Sequence, residues 1–365
     1  MGICIDKEYP GGNIEVLSED EDGFTLKQEL RDTEGDWFYW NFRVKGAAGR
    51  TVSFRFLSDV MGYWGPGVSN DGIRWQYRPE RGAHDHRSFT YKFDPDENET
   101  YFSMALPYQL SRFRLFADGI KAAYGDIVRE SVLDVTPEGR KVPLIVADNG
   151  ADRDITLSCR HHCCESVASY VLEGCFGYML SHRDDFSRFN IHMLPFVDLD
   201  GAENGDQGKN RRPHDHNRDY IDRPVYSVIR RWKEYLAGLH VSAFCDFHDP
   251  WLYGYDHDYS SLVINAAKVA DTERFSRIYR DVTRERAGGI PHTAGHDIYP
   301  GQDFNKGEGR KCSASSYGAA IGAEHVFSLE TPYFGRDFTV TEKGLREYGE
   351  DFARSLAILL GKDSD

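Results

Sequence analysis

Apolar and polar residues alternate through the first third of the chain. Val52, Phe54 and Phe56 are interleaved with Thr51, Ser53 and Arg55, and Phe89, Tyr91 and Phe93 repeat the pattern. A period of two sends successive side chains to opposite faces of a strand, so these segments predict half-buried strands. Trp37-Phe38-Tyr39-Trp40-Asn41-Phe42 predicts a denser aromatic strand, and Gly/Pro/Asp clusters such as Gly65-Pro66-Gly67 mark turns. Leu106-Pro107-Tyr108 leads into what reads as a short connecting segment. Closely spaced strands with turns between them predict an antiparallel β-sandwich over residues 1–115.

From residue 116 to 365 strands alternate with helices. Val132–Val135, Val142–Ala147, Ile155–Cys159, Phe189–Leu194, Val241–Phe247 and Val326–Leu329 predict strands. Val167, Val171, Cys175 and Met179 recur at the spacing of a buried helical stripe. Val225, Val228, Trp232 and Tyr235 predict another helix, as do Phe275, Ile278 and Val282. Leu345, Tyr348, Phe352, Leu356 and Leu359 predict a closing helix stopped by Gly361. The fold class is therefore α/β, with the N-terminal sandwich followed by a mixed-sheet α/β domain. Between Arg286 and Ala323 the chain is Gly-rich and aperiodic, and long loops in compact domains usually serve function.

Composition narrows the partners. The chain has 365 residues, and 44 Lys+Arg against 59 Asp+Glu give a formal net charge of −15. That balance argues against nucleic acid or a membrane surface as partner, since both recruit basic protein surface. A hydrophobic content of 40% is enough for a real core and excludes global disorder. The seven cysteines are odd in number and lack C-x-x-C spacing, which predicts reduced thiols. No apolar run is long enough for a transmembrane helix, and MGICIDKEYP lacks the features of a signal peptide. A cytoplasmic protein is expected.

The chemistry gathers at the ends of predicted strands. His162 and Glu165 are three apart at a strand-to-helix junction, and imidazole and carboxylate are natural zinc ligands. His248 ends a second strand, outside the sheet, where α/β proteins place ligands. Glu330 ends the last strand at the same edge. Between them, Lys209–Arg218 crowds Arg211, Arg212, Asn217 and Arg218 into one loop, and guanidinium groups suit bidentate capture of a carboxylate. Asp246, two residues before His248, either orients that ligand or is a structural strand-end carboxylate.

In this order the motifs resemble those of the zinc metallocarboxypeptidases: H-x-x-E, then Asn-Arg, then a lone His, then a catalytic Glu. The resemblance is closer to the cytosolic carboxypeptidase branch and its bacterial relatives, in which an aromatic β-sandwich precedes the catalytic domain. Trp37-Phe38-Tyr39, Asp71–Tyr77 and Ala105-Leu106-Pro107-Tyr108 look like landmarks of that sandwich, and Ser169 and Glu173-Gly174 also look typical. The resemblance implies one zinc per chain on His162, Glu165 and His248, and Glu330 as general base. It implies Arg211 or Arg212 as the group polarising the scissile carbonyl, with Asn217 and Arg218 holding the terminal carboxylate of a peptide or protein substrate. Arg310 and Lys311 resemble the basic pocket of relatives that remove acidic residues, or are an exposed basic pair. Tyr299 and Tyr317 are further substrate contacts to examine.

Departures are visible too. Cys163-Cys164 fills the gap where Pro-Gly is usual and reads as a pair of small packing residues. Asn-Pro-Asp-Gly becomes Asp198-Leu199-Asp200-Gly201, and Asp249-Pro250-Trp251 follows the third ligand where small residues are usual. The expectation is a zinc metallocarboxypeptidase acting on C-terminal residues, with acidic ones the candidate preference. The alternatives are a zinc amidase or deacylase of the aspartoacylase type and a catalytically silent carboxylate-binding module.

Overall fold

A computed structural model describes residues 2–21 and 23–362. Its N-terminal strands are β1 (Cys4–Asp6), β2 (Glu15–Asp20), β3 (Gly23–Lys27), β4 (Asn41–Lys45), β5 (Thr51–Phe56), β6 (Gly67–Ser69), β7 (Gln76–Tyr77), β8 (Ser88–Lys92) and β9 (Glu99–Ser103). They form two sheets, ordered β1-β4-β9-β6-β7 and β2-β3-β5-β8. The pairings are antiparallel except for the parallel pair β3–β5. Alternation in β5 turns Val52, Phe54 and Phe56 inward. Phe54 and Phe89 of one sheet meet Phe102 of the other at ring distances of 5.5 and 5.3 Å, which makes the sandwich core.

Only Asn41 and Phe42, the end of the aromatic run, lie in a strand. Residues 37–40 precede β4, because the Tyr39 backbone pairs with a side chain from the second domain instead of a sheet ladder. Tyr39 N donates to Gln207 Oε1, and Gln207 Nε2 donates back to Tyr39 O, both at 2.8 Å. The expected short connector is also longer than it reads: α1 (Leu110–Tyr124) is a helix burying Phe113, Ala117 and Ile120. It runs across residues 115 and 116, where the two domains were expected to meet. Phe113 packs on Phe196 and Phe116 on Phe176, so α1 sides with the α/β domain.

The second domain continues with β10 (Val128–Val135), β11 (Lys141–Ala147), β12 (Arg153–Cys159), α2 (Val167–Ser181), β13 (Phe189–Leu194), α3 (Leu199–Asn204), α4 (Ser227–Leu236), β14 (Val241–His248), β15 (Ser261–Leu262), α5 (Val269–Arg284), α6 (Ala314–Ala320), β16 (His325–Glu330) and α7 (Glu342–Lys362). α7 passes through Gly361, which therefore does not stop it. The sheet order is β10-β11-β13-β12-β14-β16-β15, with parallel pairs β13–β12, β12–β14 and β14–β16 at its centre. Every residue of β14 and β16 is buried, as expected for strands covered on both faces.

Helices α2 and α7 pack closely because glycine permits it. A Cβ on Gly174 would lie 1.9 Å from the Arg346 carbonyl oxygen, and one on Gly349 1.9 Å from that of Val171. The Gly-rich stretch is more ordered than its aperiodicity predicts: Glu308–Cys312 forms a 3-10 turn, and Ser313 caps α6 by accepting from Ser316 N. No described helix is long and apolar enough to cross a membrane. The C-terminal ends of β12, β14 and β16 converge on one edge of the sheet, and the site lies there.

Candidate active site

His162 and Glu165 lie in the turn between β12 and α2, closed by the Glu165 N–H donating to the His162 carbonyl at 3.1 Å. The turn is clamped by the buried Arg160, whose Nε donates to the Cys163 carbonyl (2.8 Å) and whose Nη1 donates to that of Tyr108 (2.6 Å). Cys163 and Cys164 are buried packing groups. His248 ends β14 and stands directly opposite Glu330 of β16 in the parallel register.

His162 Nδ1 lies 2.7 Å from Glu165 Oε1, and His248 Nδ1 lies 2.7 Å from Glu165 Oε2. One donor atom from each of the three residues falls within 4.8 Å of the others. The far edge of each ring faces a carboxylate: His162 Nε2 is 3.3 Å from Asp215 Oδ1, and His248 Nε2 is 2.7 Å from Asp246 Oδ2. An Nε2–H held by a carboxylate leaves the Nδ1 lone pair as the ligand, the usual support for a metal-binding imidazole. Ser158 Oγ donates to Asp246 Oδ1 (2.8 Å), and His161 Nδ1 approaches the same oxygen at 3.0 Å.

The electrostatics fit a cation at the common point. Burial lowers the His248 pKa, but the Asp246 and Glu165 carboxylates outweigh it and hold the ring well above its ordinary value. Burial likewise opposes His162, where Glu165 and Asp215 prevail and raise it. Burial raises Glu165, yet His162, Lys209 and His248 hold it well below the usual carboxylate range. So many carboxylates around two imidazoles call for added positive charge, and a divalent ion on two nitrogens and one carboxylate satisfies that demand. Glu330 is buried beside this point, and its pKa is raised by burial first and Glu165 next.

The loop after β13 supplies a cation, but not an expected one. Arg211 is held away by Asp198 Oδ2 (2.6 Å) and Asp206 Oδ2 (2.9 Å), with Asp32 of the sandwich at 3.6 Å. Arg212 pairs with Glu34 at 2.6 Å and is largely exposed. Neither lines the cleft. Lys209 does: its Nζ lies 2.9 Å from Glu165 Oε1 and donates to the Asp249 and Pro250 carbonyls, each at 2.9 Å. The Trp37 and Phe38 rings stand 5.7 and 5.8 Å from it.

The cleft has a volume of about 280 Å³ and also exposes Asn217, Arg218, Arg310, Trp37, Trp251 and Phe304. Asn217 is fixed by accepting from Ala314 N at 2.9 Å, and Arg218 Nη1 donates to the Asn217 carbonyl at 2.8 Å. Burial, then the neighbouring Arg218, lowers the Arg310 pKa to about 10. Lys311 is exposed, pairs with Glu308 at 2.6 Å and lies outside the cleft. Tyr299 donates to Glu273 (2.8 Å) and Tyr317 packs on Tyr220, so neither lines the cleft. Asp249 caps α2 by accepting from Val167 N at 2.9 Å, which explains a carboxylate after the third ligand. Sequence reasoning missed Lys209, Asp215 and the two tryptophans. Asp215 could have been found by its place two residues before Asn217, in a loop already rich in charge.

Comparison with known proteins points the same way. Residues 5–104 match the family described as the cytosolic carboxypeptidase N-terminal domain. Cytosolic carboxypeptidase 2 of Danio rerio is 23% identical over 299 residues, 67% of this chain and 41% of that protein. Cytosolic carboxypeptidase 6 of Caenorhabditis elegans is 23% identical over 271 residues, 64% of this chain and 59% of that protein. The chain thus spans about half the length of these relatives. In fold it is similar to a metallo-carboxypeptidase from Burkholderia cenocepacia, with a TM-score of 0.80 at 17% identity over 99% of this chain and all of that one (100%). A metallo-carboxypeptidase from Pseudomonas aeruginosa gives a TM-score of 0.77 at 18% identity, covering 98% and 99% of the two chains. The sandwich, the mixed sheet and these likenesses agree: the chain has the fold of the metallo-carboxypeptidases it resembles, and its residues 5–104 match the N-terminal domain of the cytosolic ones.

Proposed function

We propose that the protein is a zinc-dependent carboxypeptidase that hydrolyses the last peptide bond of peptides or proteins and favours acidic C-terminal residues. The observation that carries this reading is the convergence of His162, Glu165 and His248 beside Glu330, in a cleft that also holds Asn217 and Arg218. His162, Glu165 and His248 would hold one zinc ion per chain. Bound zinc would supply Lewis acidity and a more acidic water at neutral pH.

The chain's own groups do the rest. Glu330 takes the proton of the attacking water on its carboxylate and returns it to the leaving amine. Lys209 replaces the expected Arg211 or Arg212 as the cation beside the scissile carbonyl, where its fixed charge favours the developing oxyanion. Asn217 and Arg218 bind the free α-carboxylate, which restricts cleavage to the chain end. Arg310, next to Arg218 and without a carboxylate partner among its described contacts, would attract a second, side-chain carboxylate. We place the protein in the cytoplasm, in keeping with its unpaired described cysteines.

The deciding experiment is an array of peptides varying only in the final residue, each also made with an amidated C-terminus, read by mass spectrometry. Loss of one terminal residue from the free acids, fastest for Glu and Asp, is expected. Cleavage of the amidated forms, of internal bonds alone or of N-acyl groups alone would overturn the reading in favour of an amidase or deacylase.

A further inference from the structure

The cleft has two chemically different ends. Arg218, Arg310 and Asn217 gather at one, through the Arg218–Asn217 contact and the mutual influence of the two guanidiniums. At the other, Lys209 links Glu165 to an aromatic wall. There the Trp37 and Trp251 rings lie 5.0 Å apart, tilted by 53°. Trp37 Nε1 donates to the Glu34 carbonyl at 3.0 Å, which fixes its edge while the ring stays on the cleft. Trp251 is 42% exposed, the most exposed of the six tryptophans, although tryptophan is usually well buried. Only Asp249 and Pro250 separate it from His248, so it is tethered close to the reacting centre.

We propose that Trp37 and Trp251 form the subsite for the side chain just before the scissile bond, and that this subsite takes bulky apolar or aromatic residues. The inference rests on the carboxypeptidase reading. A peptide whose terminal carboxylate sits on Asn217 and Arg218 brings its last peptide bond to the His162–Glu165–His248 cluster. The chain leading up to that bond then leaves on the Lys209 side, and the first side chain on that path meets the two indoles. Flat aromatic faces reward a large apolar or aromatic side chain with stacking and lost water contact. Because Trp37 belongs to the sandwich and Trp251 to the α/β domain, the N-terminal domain becomes part of substrate recognition.

The test uses the full chain loaded with zinc and a peptide series sharing the best terminal residue, with Gly, Ala, Leu, Phe or Trp before it. We expect kcat/KM for Phe to exceed that for Gly by about tenfold, the size of one good aromatic contact. In Trp251→Ala that ratio should collapse toward one, and in Trp251→Phe most of it should remain. If the tryptophans only seal the domain junction, Trp251→Ala slows all peptides alike and keeps the ratio, which overturns the proposal. A flat series in the unmodified protein overturns it equally, while leaving the carboxypeptidase reading intact. No turnover of any peptide defeats that reading and this subsite with it.

Discussion

Lys209 Nζ sits 2.9 Å from Glu165 Oε1, so the cation that the charged loop sets against Glu165 is an ammonium. Arg211 stands two residues away in sequence but is spent on Asp198 and Asp206 at the domain junction. The two variants should therefore fail differently. Lys209→Met should lower kcat by about 10²–10³, the cost of losing an oxyanion partner. Arg211→Met should lower unfolding stability by roughly 3 kcal/mol through its stranded carboxylates. Steady-state kinetics and denaturant melts on both proteins separate these effects.

Zinc content is the next check. The purified protein should carry about one zinc per chain, as expected of a site with three protein ligands and an open position. His162→Ala should lose it on dialysis, and a chelator should lower the unmodified protein's melting temperature, with zinc restoring it. Elemental analysis showing full retention in His162→Ala would remove that residue as a ligand.

Glu330→Gln should keep its zinc yet lose turnover by about 10²–10⁴, the usual contribution of a general base. Zinc retention is the necessary companion measurement, since Glu330 stands opposite His248, the proposed third ligand, in the sheet. Undiminished peptide hydrolysis would exclude the assignment.

Arg310→Gln addresses the final residue of the substrate. The preference for Glu over Leu at the C-terminus should fall by about tenfold or more with loss of a charged hydrogen-bond partner. Turnover of the Leu peptide gives the reference rate in the same preparation.

Stability should respond to acid through His216. Burial lowers its pKa to about 4 in the folded protein, against an ordinary value of 6.5. The unfolded chain therefore binds a proton between these values that the folded one does not. Stability attributable to this group is intact above pH 6.5 and falls as pH drops toward 4, by at most roughly 3 kcal/mol. Melts of the unmodified protein and His216→Gln across this range should show a shallower acid slope in the variant.

Much of the architecture was legible because burial leaves a periodic trace. The inward alternation of β5 and the spacing-four stripe of α2 both reappear in the structure. The proximity of His162, Glu165, His248 and Glu330 was legible because His248 and Glu330 end neighbouring strands and His162 and Glu165 lie in the turn after a third, where topology converts sequence order into proximity. Helix α1 was obscured by apolar residues off its buried face, such as the exposed Leu115. The placing of Lys209 in the cleft and Arg211 outside it could not be read, because it depends on which carboxylates the fold brings to Arg211: Asp198 and Asp206, with Asp32 from the other domain. Trp37 looked like one more strand residue until the hydrogen bonds of Gln207 broke the ladder before β4.

The parallel register that sets His248 beside Glu330 also separates what can change from what cannot. Those two side chains are spaced by neighbouring strands, about 4.8 Å apart, in a fully buried sheet. Trp37, Trp251 and Arg310 ride instead on segments outside the regular strands and α-helices. Grafting other loops at these three places is thus a route to new substrates that leaves the hydrolytic frame untouched, whereas one residue inserted within β16 would turn Glu330 to the opposite face.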